Sequence, residues 1–193
     1  MKTAIIIHGM PSKEDYFNPK GDSQSNCHWL PWIQKQLTDR SILAQTPEMP
    51  EPYEPNYEKW KSVFEQFHID EETILIGHSC GGGFLVRWLS ENNVKVGKVF
   101  LVAPWIGFDP NDAWTKLTGD FFIFDIDSEL VKKTNGVTIF VSSDDDKDML
   151  TTADVLKKNI KGCLLQEFSD KGHFTYGDMR TREFPELLES IIR

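Results

Sequence analysis

Six short apolar runs punctuate the chain, and the segments between them carry apolar residues at helical spacing. The runs are "TAIIIH" (Thr3–His8), "SILAQTP", "TILIG", "GKVFLVAP" (Gly97–Pro104), "GVTIFVSS" and "CLLQEF". Most are apolar at successive positions, as strands buried on both faces must be. Between them, Tyr57, Trp60, Val63, Phe64 and Phe67 form one helical stripe, and Met149, Ala153, Leu156 and Ile160 another. Further helices are expected at "HWLPWIQKQLTD", "GGFLVRWLSEN" and "EFPELLESII". Strands alternating with helices predict an α/β fold: one six-stranded, mainly parallel sheet with helices on both faces and right-handed crossovers. The 193 residues suit a single domain spanning 1–193. The segments "GMPSKEDYFNPKGDSQSNC", "PEMPEPYEPNY" and Trp105–Lys133 read as irregular, the first two from their Gly, Pro, Asn and Ser content.

Sites in such sheets gather at the carboxyl ends of strands. There the third run breaks into Gly77-His78-Ser79-Cys80-Gly81, and a helical pattern follows at once. This is G-x-S-x-G, a nucleophile elbow. A serine on a sharp strand-to-helix turn has strained backbone geometry, which only very small residues two positions away permit. The turn lifts the hydroxyl out of the sheet, beside a helix N-terminus that favours developing negative charge. A phosphate-binding loop is excluded, because no Gly-Lys-Ser/Thr follows.

Serine needs a base. Of five histidines, His173 in "SDKGHF" follows the last strand, where the chain order Ser…Asp…His puts it. His68 and His78 are poorly placed for that role. His28, at the start of the first long helix, is a candidate lining residue. His8-Gly9 ends the first strand, the usual position of a second oxyanion donor, here the N–H of Met10; Cys80 N–H supplies the first. The acid comes from "VSSDDDKDML", and spacing alone does not choose among Asp144, Asp145 and Asp146. As a calcium loop the run fails, lacking the required Gly and ending on Val155 where a Glu is needed. No metal is expected.

A net charge of −9 argues against nucleic acid and anionic lipid as partners. Three cysteines with no C-x-x-C pair argue against a disulfide framework or a zinc site. The opening "MKTAIIIHGM" is too short an apolar run for a signal-peptide core, and no run approaches the roughly 18 apolar residues of a membrane span. A cytoplasmic location is the expectation.

Taken together, "IIIHG", "HWLPWI", "ILIGHSCGG", "VFLVAPW", "IFVSSDDD" and "DKGHF" make the chain resemble the small α/β-hydrolases related to retinoblastoma-binding protein nine, over nearly its whole length. The resemblance implies a minimal α/β-hydrolase acting without cofactor on small esters or amides, with room for a protein partner. It implies Ser79, His173 and Asp145 as a triad. The family's acid precedes a Pro, and Asp146 stands in that place here, which leaves Asp144 as the alternative. Trp105 begins an aromatic segment, Trp105–Asp127, that forms the best wall for a pocket together with His8, Gly9 and His28. A different class of function is a catalytically weak protein-binding module on the same fold. Acyl transfer to an acceptor other than water would use the same residues as hydrolysis.

Overall fold

A computed structural model describes residues 2–193. The strands are β1 (Thr3–Ile7), β2 (Leu43–Gln45), β3 (Ile74–His78), β4 (Val99–Val102), β5 (Val137–Ser142) and β6 (Leu164–Phe168). The helices are α1 (Lys13–Tyr16), α2 (Leu30–Thr38), α3 (Tyr57–Phe64), α4 (Cys80–Glu91), α5 (Ala113–Leu117), α6 (Lys147–Asn159), α7 (Tyr176–Met179) and α8 (Pro185–Ile192). All six strands join one sheet in the order β2-β1-β3-β4-β5-β6, and every neighbouring pair is parallel.

The strand residues sort by period two. Ile5, Ile7, Leu75, Val99, Leu101, Ile139 and Val141 face a core completed by α3, α4 and α6. Ala4, Ile6, Ile74, Ile76, Phe100, Val102 and Phe140 face a second core with α2 and α8. Two cores explain why the central runs are apolar at every position. β6 departs from that rule: it is an edge strand, and Leu164 is exposed. No helix among the described residues is long and apolar enough to cross a membrane.

Short helices occur where irregular chain was expected. Ser12 caps α1 by accepting from Asp15 N–H, and Asp112 caps α5 by accepting from Thr115 N–H. Thr175 and Asp178 form a capping box at α7. A single turn held by its cap needs no apolar stripe, so hydrophobic periodicity does not reveal it.

Strand order reverses between β1 and β3, since β2 lies on one side of β1 and β3 on the other. Parallel sheets open a crevice at such a switch point. β1 leads into His8, Gly9 and Met10, and β3 leads into Ser79.

α4 is the central helix, with Phe84, Leu85, Val86, Trp88 and Leu89 all buried. The Phe84 ring packs against Tyr57, Trp60, Phe64 and Phe121 at centroid distances of 5.8, 5.7, 5.4 and 6.2 Å. Phe84→Ala should lower unfolding free energy by about 3–5 kcal/mol through lost burial and the cavity left behind. Urea denaturation at unchanged m-value is the measurement.

Candidate active site

Ser79 has φ 53° and ψ −122°, a conformation few non-glycine residues adopt. Its neighbours show why it can. A Cβ at Gly77 would lie 2.6 Å from the Gly81 carbonyl oxygen, and one at Gly81 would lie 2.4 Å from both the Ile7 and His8 carbonyl oxygens. Only hydrogen fits at either position. The strained residue is held from both sides: its N–H donates to Val102 O at 2.9 Å, and its carbonyl accepts from Gly82, Gly83 and Trp105 N–H at 2.9, 3.2 and 3.0 Å.

His173 follows β6 in a tight turn, with Gly172 at φ 49° and Phe174 at φ 56°. Its Nδ1–H donates to both carboxylate oxygens of Asp145, at 3.2 and 3.1 Å. The Asp145 side chain is 1% exposed and that of His173 28%, so a buried carboxylate backs a ring that opens outward. Asp144 faces elsewhere. It accepts from the Ser142 hydroxyl and from Gly172 N–H, ties that hold its carboxyl below the usual carboxylate range, the Ser142 bond most of all. Asp146 is the N-cap residue of α6.

Ser79 and His173 line two adjoining cavities. The larger, about 460 Å³, is walled by Trp105, Trp114 and Met149 with Asp112, Asp146 and Asp148 around it. The smaller, about 240 Å³, extends past His28, Gln24 and Asp15. Met10 borders both. No hydrogen bond joins Ser79 Oγ to His173 among the described residues; such contacts in free enzymes commonly tighten only with substrate. The Met10 and Cys80 N–H groups have no protein acceptor among the described residues. The Cys80 thiol is buried, and burial raises its pKa, so the sulfur is a core atom and not a nucleophile.

His8 is buried, with both ring nitrogens engaged: Nδ1–H donates to Gly9 O at 2.7 Å, and Nε2 accepts from Met49 N–H at 2.9 Å. It therefore holds the loop and leaves no ring nitrogen for a ligand. Gly9 passes so close that a Cβ there would meet Ser79 Cβ at 3.1 Å. Trp105 is almost buried and walls the larger cavity, and His28 borders the smaller.

The aromatic segment after Trp105 divides. Phe121 is fully buried in the α4 cluster, whereas Trp114 lines the larger cavity and Phe108 and Ile123 are exposed. Sequence reasoning missed His78. Its buried ring donates from Nε2–H to His173 O at 2.8 Å, bracing the backbone of the candidate base. It also missed Asp178, which accepts from His173 N–H at 3.1 Å. The T-x-x-D pattern of Thr175 and Asp178 is a legible capping signal that points to it.

Comparison with known proteins gives the family. The family model described as Serine hydrolase matches residues 20–188. Serine hydrolase RBBP9 of Rattus norvegicus is 28% identical over 197 residues, covering 97% of this chain and 92% of that protein. YdeN of Bacillus subtilis (strain 168) is 25% identical over 178 residues, covering 90% of this chain and 86% of that protein. The crystal structure of the ydeN gene product superimposes with a TM-score of 0.81 at 23% identity, covering 100% of this chain and 97% of that one. The chain belongs to the serine hydrolase family, among its small RBBP9-like members, and has the α/β-hydrolase fold.

Three histidines at this end of the sheet, His8 and His78 buried and His28 half-buried, are held as neutral rings. Burial is the leading cause in each: it lowers the pKa of His8, takes that of His78 well below its ordinary 6.5, and brings that of His28 from 6.5 to about 4. The charge of His173 adds to the effect on His28 and His78. Each ring binds a proton more readily unfolded than folded, so stability rises with pH across this window. It is complete above about pH 6.5 and drains away as pH falls toward 4; for His28 alone the loss approaches about 3 kcal/mol. The lowered pKa of Asp144 acts in the same direction, in the acid range below 3.8. The thermal midpoint should therefore drop between pH 7 and 5, and His28→Phe should flatten the slope; a flat wild-type profile contradicts the neutral assignments.

Proposed function

We propose that this serine hydrolase cleaves small carboxylic esters or amides through an acyl-enzyme, with Ser79 as nucleophile, His173 as base and Asp145 as orienting acid. One juxtaposition supports the reading: a serine on a strained elbow and an imidazole backed by a buried carboxylate border the same cavity. In the acylation step the Ser79 hydroxyl adds to the carbonyl carbon and its proton passes to His173 Nε2. Asp145 stabilises the imidazolium and keeps the remaining proton on Nδ1. The Met10 and Cys80 N–H groups take the oxyanion, each donor being worth about 3 kcal/mol to the transition state. His173 then gives its proton to the departing alcohol or amine. Water, deprotonated by the same ring, adds to the acyl-enzyme and releases the acid.

The partner reading has one observation behind it: Phe108, Trp114, Leu117 and Ile123 expose apolar surface on a single segment. A binding module needs no activated serine, so labelling by a fluorophosphonate probe separates the two. The hydrolase reading expects rapid labelling of the native protein, lost in Ser79→Ala, with ester turnover falling on the order of 10⁶-fold. Asp145→Asn should cut turnover by about 10⁴-fold with the fold intact. Asp144→Asn should cost far less, because that carboxylate braces the Ser142–Gly172 connection. Near-normal p-nitrophenyl ester hydrolysis by Ser79→Ala would overturn the assignment.

A further inference from the structure

His28 sits at φ 55°, the left-handed region, just ahead of α2. That turn carries its ring back against His78, edge to face at 5.6 Å. Nδ1 accepts the N–H of Tyr176 at 3.1 Å, which fixes the ring's state: an accepting Nδ1 has no proton, so the proton of the neutral ring is on Nε2. Nε2–H has no acceptor among the described residues, and the ring borders the smaller cavity. The ring stays neutral at physiological pH, since burial holds its pKa near 4.

The two cavities differ in size and in charged groups. The larger has Trp105, Trp114, Met10 and Met149 in its wall, together with Asp112, Asp146, Lys147 and Asp148. The smaller has Gln24, Asp15, Thr175 and His28, and no Lys or Arg. Asp15 repels a carboxylate there, and nothing in the lining neutralises one. A neutral fragment with an acceptor oxygen suits this lining, and its size is limited by about 240 Å³.

We infer that the smaller cavity receives a short, neutral, oxygen-bearing fragment of the substrate, which accepts a hydrogen bond from His28 Nε2–H, while the fragment across the scissile bond lies in the larger cavity. The inference rests on the proposed chemistry at Ser79 and adds its substrate class: an ester or amide with a small, neutral, oxygen-bearing group on one side of the scissile bond. His28 is a substrate-binding residue and takes part in no proton transfer.

Two isosteric pairs test it. On the acyl side, 4-nitrophenyl methoxyacetate is compared with 4-nitrophenyl butyrate. On the alcohol side, the 2-methoxyethyl and butyl esters of 3-phenylpropanoic acid are compared. The ratio of kcat/KM within a pair, wild type against variant, cancels the intrinsic reactivity of each ester. His28→Phe keeps a ring and loses both the donor and the acceptor of the Tyr176 N–H; it should reduce the ether-to-alkyl ratio by about 3- to 10-fold in one pair, the worth of a neutral hydrogen bond. His28→Gln, which returns an N–H near the Nε2 position, should recover most of it. A merely structural role would lower both members of a pair alike. Unchanged ratios in both pairs, with wild type turning over all four esters, overturn the inference and leave the Ser79 reading standing. A wild type that neither hydrolyses these esters nor takes the fluorophosphonate label overturns both. Independently of any variant, histidine ¹⁵N–¹H spectra of the wild type should show His28 as the Nε2–H tautomer, and an Nδ1–H tautomer would overturn the inference.

Discussion

The Ile7 and His8 carbonyl oxygens lie 2.4 Å from where a side chain at position 81 would begin, and the whole arrangement depends on that contact. It brings the first turn of α4 against the end of β1, so the elbow and the neighbouring loop form one block. The Ser79 strain, on the order of 1–3 kcal/mol, persists because the surroundings over-determine it. Four backbone hydrogen bonds to Val102, Gly82, Gly83 and Trp105 tie the residue to β4, to its own helix and to the cavity wall. Left-handed residues gather around it, with Ala103 at φ 41° beyond β4 joining His28 and Phe174. A parallel sheet supplies rigid strand ends at this edge, and chain reversal there requires unusual backbone.

Four of the five histidines meet at the same edge, and three of them act on backbone. His8 holds the Gly9 carbonyl, His78 the His173 carbonyl, and His28 the Tyr176 N–H. In a trans peptide the carbonyl and the following N–H point in opposite directions. Anchoring Gly9 O through His8 thus turns the Met10 N–H away from the His8 ring, the orientation the proposed oxyanion site needs. Burial keeps these three rings uncharged, and His173, whose ring opens to the cavities, is the one with a carboxylate on it. One imidazolium can then form without three others competing for the same acid.

Most of the architecture was legible because the signals were local. Continuous apolar runs gave the four central strands, since burial on two faces leaves little room for alternation, and G-x-S-x-G marked its own turn. The edge strands β2 and β6 were read from composition despite their exposed positions. The short capped helices α1, α5 and α7 were not legible, because a side-chain cap replaces the apolar stripe. Nor did sequence separate Asp144 from Asp145: adjacent residues in a turn differ only in direction, and direction is set by the Ser142 and Gly172 contacts across the sheet edge. His78 was passed over because its partner lies 95 residues away, at a carbonyl that has no side-chain signature.

α4 carries the argument beyond the elbow. One turn past the buried glycines, Arg87 lies 3.6 Å above the Tyr57 ring and donates to the Asp120 and Phe121 carbonyls at 2.7 and 2.9 Å. Those two hydrogen bonds fix the far end of the segment that begins at Trp105, whose near end is fixed by the Ser79 carbonyl. The segment is therefore clamped at both ends by one helix, and Phe121 seals it into the core between them. Trp114, in the middle, is left on the cavity side with less support. A large lid domain is unnecessary in such a chain: the helix that presents the serine also carries the wall opposite it, so nucleophile and pocket keep their spacing as a unit.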